Sequence, residues 1–112
     1  MTRGNVYWIK FPSGSGRAQA GRRPAVIVQN DDASKEIPTV LVVPLTTQQD
    51  ALRFPGTVLI DPDNENGLRQ RSVALVFQMT AVDQQFLESR LGTVSESVMA
   101  SLLSSLEEIT AA

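Results

Sequence analysis

The sequence predicts a mainly β fold, a small and strongly bent antiparallel sheet or partly open barrel that ends in one helix. Short runs of β-branched and aromatic residues follow one another through most of the chain. The connections between these runs are too short for crossover helices, which argues against a parallel sheet. The last segment changes to a helical spacing of apolar residues. We expect residues 1–112 to form a single domain, because the chain shows no internal repeat and no linker.

Five segments have the composition of strands. The first, NVYWIKF at 5–11, mixes aromatic and β-branched residues, and we expect Val6, Trp8 and Phe11 to face inward. The next four are AVIVQN at 25–30, TVLVVPL at 39–45, TVLID at 57–61 and RSVALVFQM at 71–79. Pro44 stands near the end of the third strand, a position that favours a sheet edge or a bulge.

The segments between the strands are polar or rich in turn-forming residues. PSGSGRAQAG at 12–21 and NDDASKEIP at 30–38 are expected to be loops, and PDNENG at 62–67 a tight turn. VDQQFLESRL at 82–91 is expected to form a short helix that begins at Asp83 and ends at Gly92.

The terminal segment, TVSESVMASLLSSLEEIT at 93–110, predicts an amphipathic helix. Its apolar residues near one face are Val98, Leu102, Leu103, Leu106 and Ile109. The sequence leaves two possible N-caps for this helix. Thr93 with Glu96 would form a capping box, and Ser95 is the competing N-cap.

Charge is unevenly distributed along a chain whose net charge is −2. Residues 1–30 hold five basic residues and no acidic one, whereas all 12 acidic residues follow. A net-acidic protein is not a general nucleic-acid coat, but a local cationic surface can bind phosphate. Chance asymmetry in a short sequence is the alternative explanation, and the charge pattern alone leaves both open.

Several classes of site are excluded by composition. The chain contains no histidine and no cysteine, so Ser-His-Asp and Cys-His catalysis and thiolate metal sites are ruled out. No apolar run is long enough to span a membrane, and the first residues lack the pattern of a signal peptide. The expected location is therefore the cytoplasm.

The candidate site residues lie at strand ends. GRRP at 21–24 places two arginines at the start of a strand, and Pro24 restricts Arg23 to an extended conformation. Arginine suits bidentate phosphate contacts, although a surface ion pair is the common alternative. Thr46 and Thr47 follow a buried strand, where a hydroxyl can donate to phosphate or simply be structural. Ser72 and Gln78 could likewise line a site or bond a neighbouring loop.

Five blocks occur in a fixed order along the chain. They are GNVYWIKF, QAGRRPAVIVQND, VVPLTTQ, NGLRQRSVALVFQM and RLGTVSESVMASLLSSL. In these blocks the chain resembles the MazF/PemK family of toxin endoribonucleases from type II toxin–antitoxin pairs. The resemblance implies a compact SH3-like or CcdB-like barrel with a C-terminal helix, a homodimer, and a separate antitoxin chain that covers the surface of Arg22 and Arg23.

The same resemblance implies cleavage of single-stranded RNA at short sequences, without a metal ion or cofactor. The ribose 2′-hydroxyl attacks the adjacent phosphate and leaves a 2′,3′-cyclic phosphate and a 5′-hydroxyl. The family's catalytic arginine and threonine fall on Arg23 and Thr46. The residues expected to bind RNA are Arg17, Arg22, Thr47, Gln48, Arg53, Phe54, Ser72 and Gln78. We expect Phe54 to stack on a base, and Trp8 to pack in the core or a dimer interface.

Three positions depart from the usual family pattern. Ala18 stands where many members have glutamate, Asn5 replaces an acidic residue, and Phe77 replaces an aspartate. Two alternatives therefore stay open beside the nuclease. One is a non-catalytic toxin of the same fold that poisons DNA gyrase, although the chain end LEEITAA lacks the bulky aromatic expected for that role. The other is an inactive structural barrel.

Overall fold

The computed structural model describes residues 1–12 and 21–112, which form a seven-stranded sheet and two α-helices. The strands are β1 (Asn5–Phe11), β2 (Gly21–Ile27), β3 (Thr39–Thr46), β4 (Thr57–Ile60), β5 (Ser72–Leu75), β6 (Thr80–Asp83) and β7 (Leu87–Thr93). The α-helices are α1 (Asp31–Glu36) and α2 (Glu96–Thr110), and 3-10 turns cover Gln49–Arg53, Val76–Gln78 and Gln84–Phe86. Neither α-helix is long and apolar enough to cross a membrane. The predicted fold class, a mainly antiparallel sheet with a C-terminal helix, is confirmed.

Strand β3 is the centre of the sheet. The order of strands is β4-β5-β3-β2-β1-β7, and β6 also pairs with β3. On one side β3 pairs with β2, and on the other its first half pairs with β6 and its last residues with β5. Pro44 lies between these two stretches, where β3 has no ladder partner on that side and the missing N–H costs no sheet hydrogen bond. The sequence favoured a sheet edge or a bulge at Pro44; β3 is central, so the edge alternative was wrong, and Pro44 lies instead where the partner of β3 on that side changes from β6 to β5.

The segment 71–79 is not one continuous strand. Strand β5 ends at Leu75, and the 3-10 turn Val76–Gln78 separates it from β6. The backbone N–H of Phe77 donates to the carbonyl oxygen of Gly56 at 3.1 Å, outside the β3 ladder. This break moves Phe77 and Gln78 out of strand alternation and toward the end of β3.

The short helix predicted between Asp83 and Gly92 does not form. Asp83 caps only the 3-10 turn, accepting from the N–H of Gln85 at 3.0 Å, and the chain then extends as β7 beside β1. Gly92 lies inside β7, where a Cβ atom would stand 2.2 Å from the carbonyl oxygen of Glu65. Close backbone approach, not helix termination, explains this glycine.

Two polar signals determine where helices begin. The loop expected at 30–38 contains α1, because Asn30 caps it by accepting from the N–H of Ala33 at 2.8 Å. At the terminal helix Ser95 is the N-cap, accepting from Val98 N at 3.1 Å, while Thr93 belongs to β7. The structure thus selects Ser95 over the capping box.

The core has two layers because β2 and β3 are covered on both faces. The first layer contains Val6, Val26, Val43, Leu45, Ile60, Leu68, Ala74, Val76, Val94, Met99 and Leu102. The second contains Ile9, Phe11, Ala25, Ile27, Val40, Val42 and Val82. Adjacent residues such as Val26 and Ile27 fall in different layers, as strand alternation requires. Helix α2 buries Met99 and Leu102 in the first layer.

Three apolar residues differ from their predicted positions. Val6 and Phe11 are buried as expected, but Trp8 is only half-buried at the open end of the sheet. On α2, Leu103 and Ile109 are 40% and 37% exposed. The buried face of α2 is narrower than predicted, because it contacts the sheet mainly through Met99 and Leu102.

Candidate active site

The ends of β2 and β3 bring the two predicted catalytic residues together. The register pairs Ala25 with Pro44, and the same register continued outward sets Arg23 opposite Thr46. Thr46 is held on its other side by β5, where it pairs with Val73. Since Arg23 and Thr46 both lie within strands, the position of each side chain is determined by the sheet and not by a loop.

Arg23 and Thr46 line one open cavity of about 330 Å³, which we call the arginine cavity. Its other lining residues are Gln48, Asp50, Ala51, Arg53, Phe54, Leu75, Phe77 and Gln78. Among the charged groups two arginines face one aspartate, so the lining is net positive. A volume above 300 Å³ is in the range of small-ligand sites.

Two buried polar atoms in this cavity have no hydrogen-bond partner among the residues that the structure describes. They are Nε of Arg23 and Oε1 of Gln78. Buried polar groups in folded proteins are nearly always paired, and an unpaired one costs about 1–3 kcal/mol. Both atoms belong to residues that line the open cavity.

The hydroxyl group of Thr46 accepts one hydrogen bond from the backbone. Oγ1 accepts from the backbone N–H of Gln48 at 3.2 Å. One lone pair is thereby occupied, while the hydroxyl hydrogen is available for donation. Thr46 can therefore act as a neutral donor beside the cationic donor Arg23.

One wall of the arginine cavity is aromatic. Phe54 and Phe77 make an edge-to-face contact with ring centroids 5.7 Å apart, and both are more than 40% exposed. The guanidinium carbon of Arg53 lies 4.7 Å from the Phe54 ring centroid, and its Nη1 lies 3.6 Å from a carboxylate oxygen of Asp50. Asp50 and Phe77 were not predicted as site residues. The sequence gives no strong signal for the 3-10 turn Val76–Gln78, because these residues fit a strand equally well.

Several predicted residues lie elsewhere. Thr47 and Ser72 line a neighbouring cavity, and Arg17 and Ala18 lie outside the described residues. Arg22 does not line the arginine cavity, because its Nε donates to Glu88 at 2.5 Å and its guanidinium lies over the Trp8 ring. Of the predicted residues, the structure brings together Arg23, Thr46, Gln48, Arg53, Phe54 and Gln78.

The donor set determines what the arginine cavity can do. No group of three or more acidic residues suited to a metal ion occurs within residues 1–12 and 21–112. Cationic and hydroxyl donors converge instead, an arrangement that stabilises negative charge on a bound oxygen. The cavity also lacks histidine and cysteine, so a nucleophile of those types cannot come from the protein.

The chain matches known proteins along nearly its whole length. A family model described as "PemK-like, MazF-like toxin of type II toxin-antitoxin system" matches residues 2–110. The chain is 35% identical over 99 residues to "Endoribonuclease MazF" of Staphylococcus epidermidis, which covers 88% of this chain and 82% of the relative. It is 30% identical over 99 residues to "Endoribonuclease EndoA" of Bacillus subtilis, with coverages of 88% and 84%.

Solved structures share the fold. MazF from Deinococcus radiodurans superposes with a TM-score of 0.81 at 22% identity, covering 97% of this chain and 94% of that one. An endoribonuclease in complex with its cognate antitoxin, from a mycobacterial species, gives a TM-score of 0.75 at 23% identity, with coverages of 96% and 92%. Since the family model spans residues 2–110, this chain belongs to the PemK-like, MazF-like family of toxins of type II toxin–antitoxin systems.

Proposed function

We propose that this toxin is a sequence-specific endoribonuclease that cleaves single-stranded RNA, including mRNA, in the arginine cavity without a metal ion. The observation that carries the proposal is the meeting of Arg23 and Thr46 in one cavity, with Nε of Arg23 buried and unpaired among the described residues. The relatives named as endoribonucleases support the same reaction class. Residues 1–112 act as one domain in this proposal, in the cytoplasm where mRNA is available.

The reaction uses a nucleophile from the substrate. The 2′-oxygen of a ribose attacks the adjacent phosphorus while the bond from phosphorus to the next O5′ breaks. The 2′-hydroxyl loses a proton and O5′ gains one, which gives a 2′,3′-cyclic phosphate and a 5′-hydroxyl. This route requires no serine, cysteine or histidine of the protein, in keeping with the cavity's composition.

Arg23 and Thr46 lower the barrier by stabilising charge on the non-bridging phosphate oxygens. The guanidinium group offers charge-assisted hydrogen bonds, and the Thr46 hydroxyl adds a neutral one. Loss of one donor of this kind typically lowers a rate about 10²–10³-fold. Arg23 is assigned to binding and charge stabilisation and not to proton removal, because a guanidinium group stays protonated.

The test is cleavage of a long unstructured RNA by the purified protein in EDTA, with mapping of the new ends. Wild type is expected to give discrete cuts with 5′-hydroxyl termini, and Arg23→Ala to lose them. Arg3→Ala is the matched control, because it removes the same charge from an exposed residue at the other end of β1. Equal survival of the RNA with wild type and Arg23→Ala, or loss of wild-type cutting in EDTA, would overturn the proposal.

The proposed protein partner is a cognate antitoxin whose acidic and apolar residues cover the surface around Arg22 and Arg23. The Arg22 side chain is 52% exposed above Trp8, which offers a cation beside an apolar group. Arg22→Glu is expected to weaken antitoxin binding, while Arg3→Glu leaves it unchanged. A complex in which both Arg22 and Arg23 stay open to solvent would contradict this arrangement.

The second proposed partner is another copy of this chain. An uncharged cleft of about 110 Å³ separates α2 from the sheet, and exposed leucines stand at its margin. It is lined by Val28, Leu41, Val43, Val76, Met79, Leu102, Leu103 and Leu106. A homodimer contact here would remove this apolar surface from water. In sedimentation experiments Leu103→Glu is expected to give a monomer, and Ile37→Glu, at an equally exposed apolar residue, to stay dimeric.

A further inference from the structure

A second cavity is lined by Pro24 and Thr47, which directly follow Arg23 and Thr46 of the arginine cavity. Its volume is about 400 Å³, and we call it the tryptophan cavity. It is lined by Trp8, Pro24, Thr47, Gly67, Leu68, Arg69, Gln70, Ser72 and Leu91. Apolar surface predominates in this lining, whereas polar groups predominate in the arginine cavity.

Consecutive residues divide between the two cavities. Arg23 lines the arginine cavity and Pro24 the tryptophan cavity, and the same holds for Thr46 and Thr47. The two cavities therefore share the ends of β2 and β3, and alternation along β2 places them on opposite faces of that strand. A linear ligand that occupies both cavities would therefore pass around these strand ends.

The walls of the tryptophan cavity are held by contacts within the described residues. The guanidinium carbon of Arg22 lies 4.2 Å from the Trp8 ring centroid, and Glu88 holds Arg22 in place through its Nε. The side chain of Asn66, 1% exposed, accepts from the N–H of Leu68 at 3.0 Å and donates to the carbonyl oxygen of Asp61 at 2.9 Å. Trp8 and the turn before Leu68 are thus positioned before any ligand arrives.

We propose that the tryptophan cavity binds an unpaired nucleobase of the RNA, next to the phosphate that is cleaved. This assignment rests on the proposed endoribonuclease function for the identity of its ligand. Three features fit a base: a half-buried indole ring, an apolar floor from Leu68 and Leu91, and exposed polar side chains of Arg69 and Gln70 at the rim. Single-stranded RNA is recognised in this way, by stacking on aromatic rings and hydrogen bonds to base edges.

The proposal gives Gln70 and Arg69 a part in sequence preference. A glutamine amide both donates and accepts, and a guanidinium group only donates, so together they distinguish the edges of different bases. It also changes the role expected for Trp8, which the sequence placed in the core or a dimer interface. Trp8 is half-buried because one part of it faces this cavity.

Trp8 provides its own readout, because it is the single tryptophan of the chain. The probe is a saturating mixed-sequence 2′-O-methyl RNA pentamer, which cannot be cleaved, and its control is an abasic phosphodiester oligomer of the same length. Base-bearing RNA is expected to change the Trp8 emission, and the abasic oligomer to bind without doing so. Anisotropy of a labelled pentamer reports binding in the same samples.

The outcomes separate the two proposals. Binding with unchanged Trp8 emission, or an equal change with the abasic oligomer, overturns the base site while leaving the endoribonuclease intact. A base-dependent emission change in a protein that cuts no RNA supports the base site and removes the proposed reaction. Absence of any binding overturns both.

Substitutions extend the test to cleavage. Trp8→Leu is expected to weaken pentamer binding about tenfold. Gln70→Ala is expected to reduce discrimination at one position of the cleavage sequence about tenfold, the effect of about one lost hydrogen bond. Gln85→Ala, at an exposed glutamine outside both cavities, is the control. If sequencing of the cut ends shows the same base preference for wild type, Gln70→Ala and Trp8→Leu, the base site is wrong.

Discussion

The arginine and tryptophan cavities share the ends of β2 and β3 but differ in how their polar groups are satisfied. In the arginine cavity, Nε of Arg23 and Oε1 of Gln78 are buried without partners among the described residues. In the tryptophan cavity, Ser72 Oγ donates to the carbonyl oxygen of Gln70 at 3.0 Å, and the cationic neighbour Arg22 is already paired. The unpaired Arg23 Nε is a cationic donor and favours a negatively charged ligand, whereas a satisfied and largely apolar wall favours a flat, weakly polar one.

The difference arises from one feature of β structure. Because neighbouring residues face opposite sides of a sheet, the GRRP and LTT segments supply both cavities at once. A short strand end can thereby bind a phosphate on one face and a base on the other. Single substitutions at adjacent positions, one in each cavity, should therefore affect phosphate binding and base binding separately.

The largest difference in kcat is expected between the variants Thr46→Val and Thr47→Val. Thr46→Val keeps the side-chain shape and removes the hydroxyl donor of the arginine cavity, so kcat should fall about 10²–10³-fold. Thr47→Val changes only the rim of the tryptophan cavity, so kcat should stay close to wild type. Steady-state cleavage of one defined RNA at saturating concentration measures both kcat values. Equal kcat values for the two variants would show that the cavities are not divided as described.

The kcat values of Arg23→Lys and Arg22→Lys are expected to differ by less than those of the threonine variants, because both substitutions keep the positive charge. Lysine has no Nε–H and no planar fork, so Arg23→Lys should lower kcat about 10–100-fold. Arg22→Lys leaves the arginine cavity unchanged and should affect mainly RNA affinity. A kcat for Arg23→Lys equal to that of wild type would mean that charge alone is required and that the buried Nε is not used.

The strands that carry Arg23 and Thr46 could be predicted because their apolar, β-branched runs are strong local signals. The resemblance to known toxins then singled out these two residues, and the sheet register brings them together. Their catalytic roles stay predictions until the variants are measured. Gln78, which was predicted to bind RNA from a strand, lines this cavity from a 3-10 turn.

The rest of the site depends on contacts that are distant in sequence. Phe77 joins the arginine cavity because its N–H bonds to Gly56 and its ring meets Phe54, more than 20 residues earlier. Trp8 was assigned to the core or a dimer interface because alternation along β1 gives only the face on which it lies, and not what covers that face. Leu68 and Leu91 form the floor beneath it, and no local pattern connects them to Trp8.

The free energy of unfolding provides a comparison between Gly67, which lines the tryptophan cavity, and Gly21 at the start of β2. Gly67 has φ +73°, and a Cβ atom there would stand 2.1 Å from the carbonyl oxygen of Leu91. Gly21 has φ +84°, but among the described residues no non-neighbouring atom lies within 4 Å of such a Cβ. Gly67→Ala should therefore lower the free energy of unfolding by about 1–3 kcal/mol more than Gly21→Ala, since backbone must move as well. Urea unfolding measures both, and equal losses would show that φ alone matters.

The smallest effect is expected at Phe54, whose ring is 43% exposed at the edge of the arginine cavity. Leucine keeps apolar contact with Phe77 but removes the surface on which a base can stack. Phe54→Leu should raise KM about fivefold, the low end of a stacking contribution, with kcat unchanged. A fall in kcat would instead mean that Phe54 positions Phe77 and, through the 3-10 turn, Gln78. In that case Phe54 and Phe77 would contribute to phosphate binding, and base binding would depend on the tryptophan cavity alone.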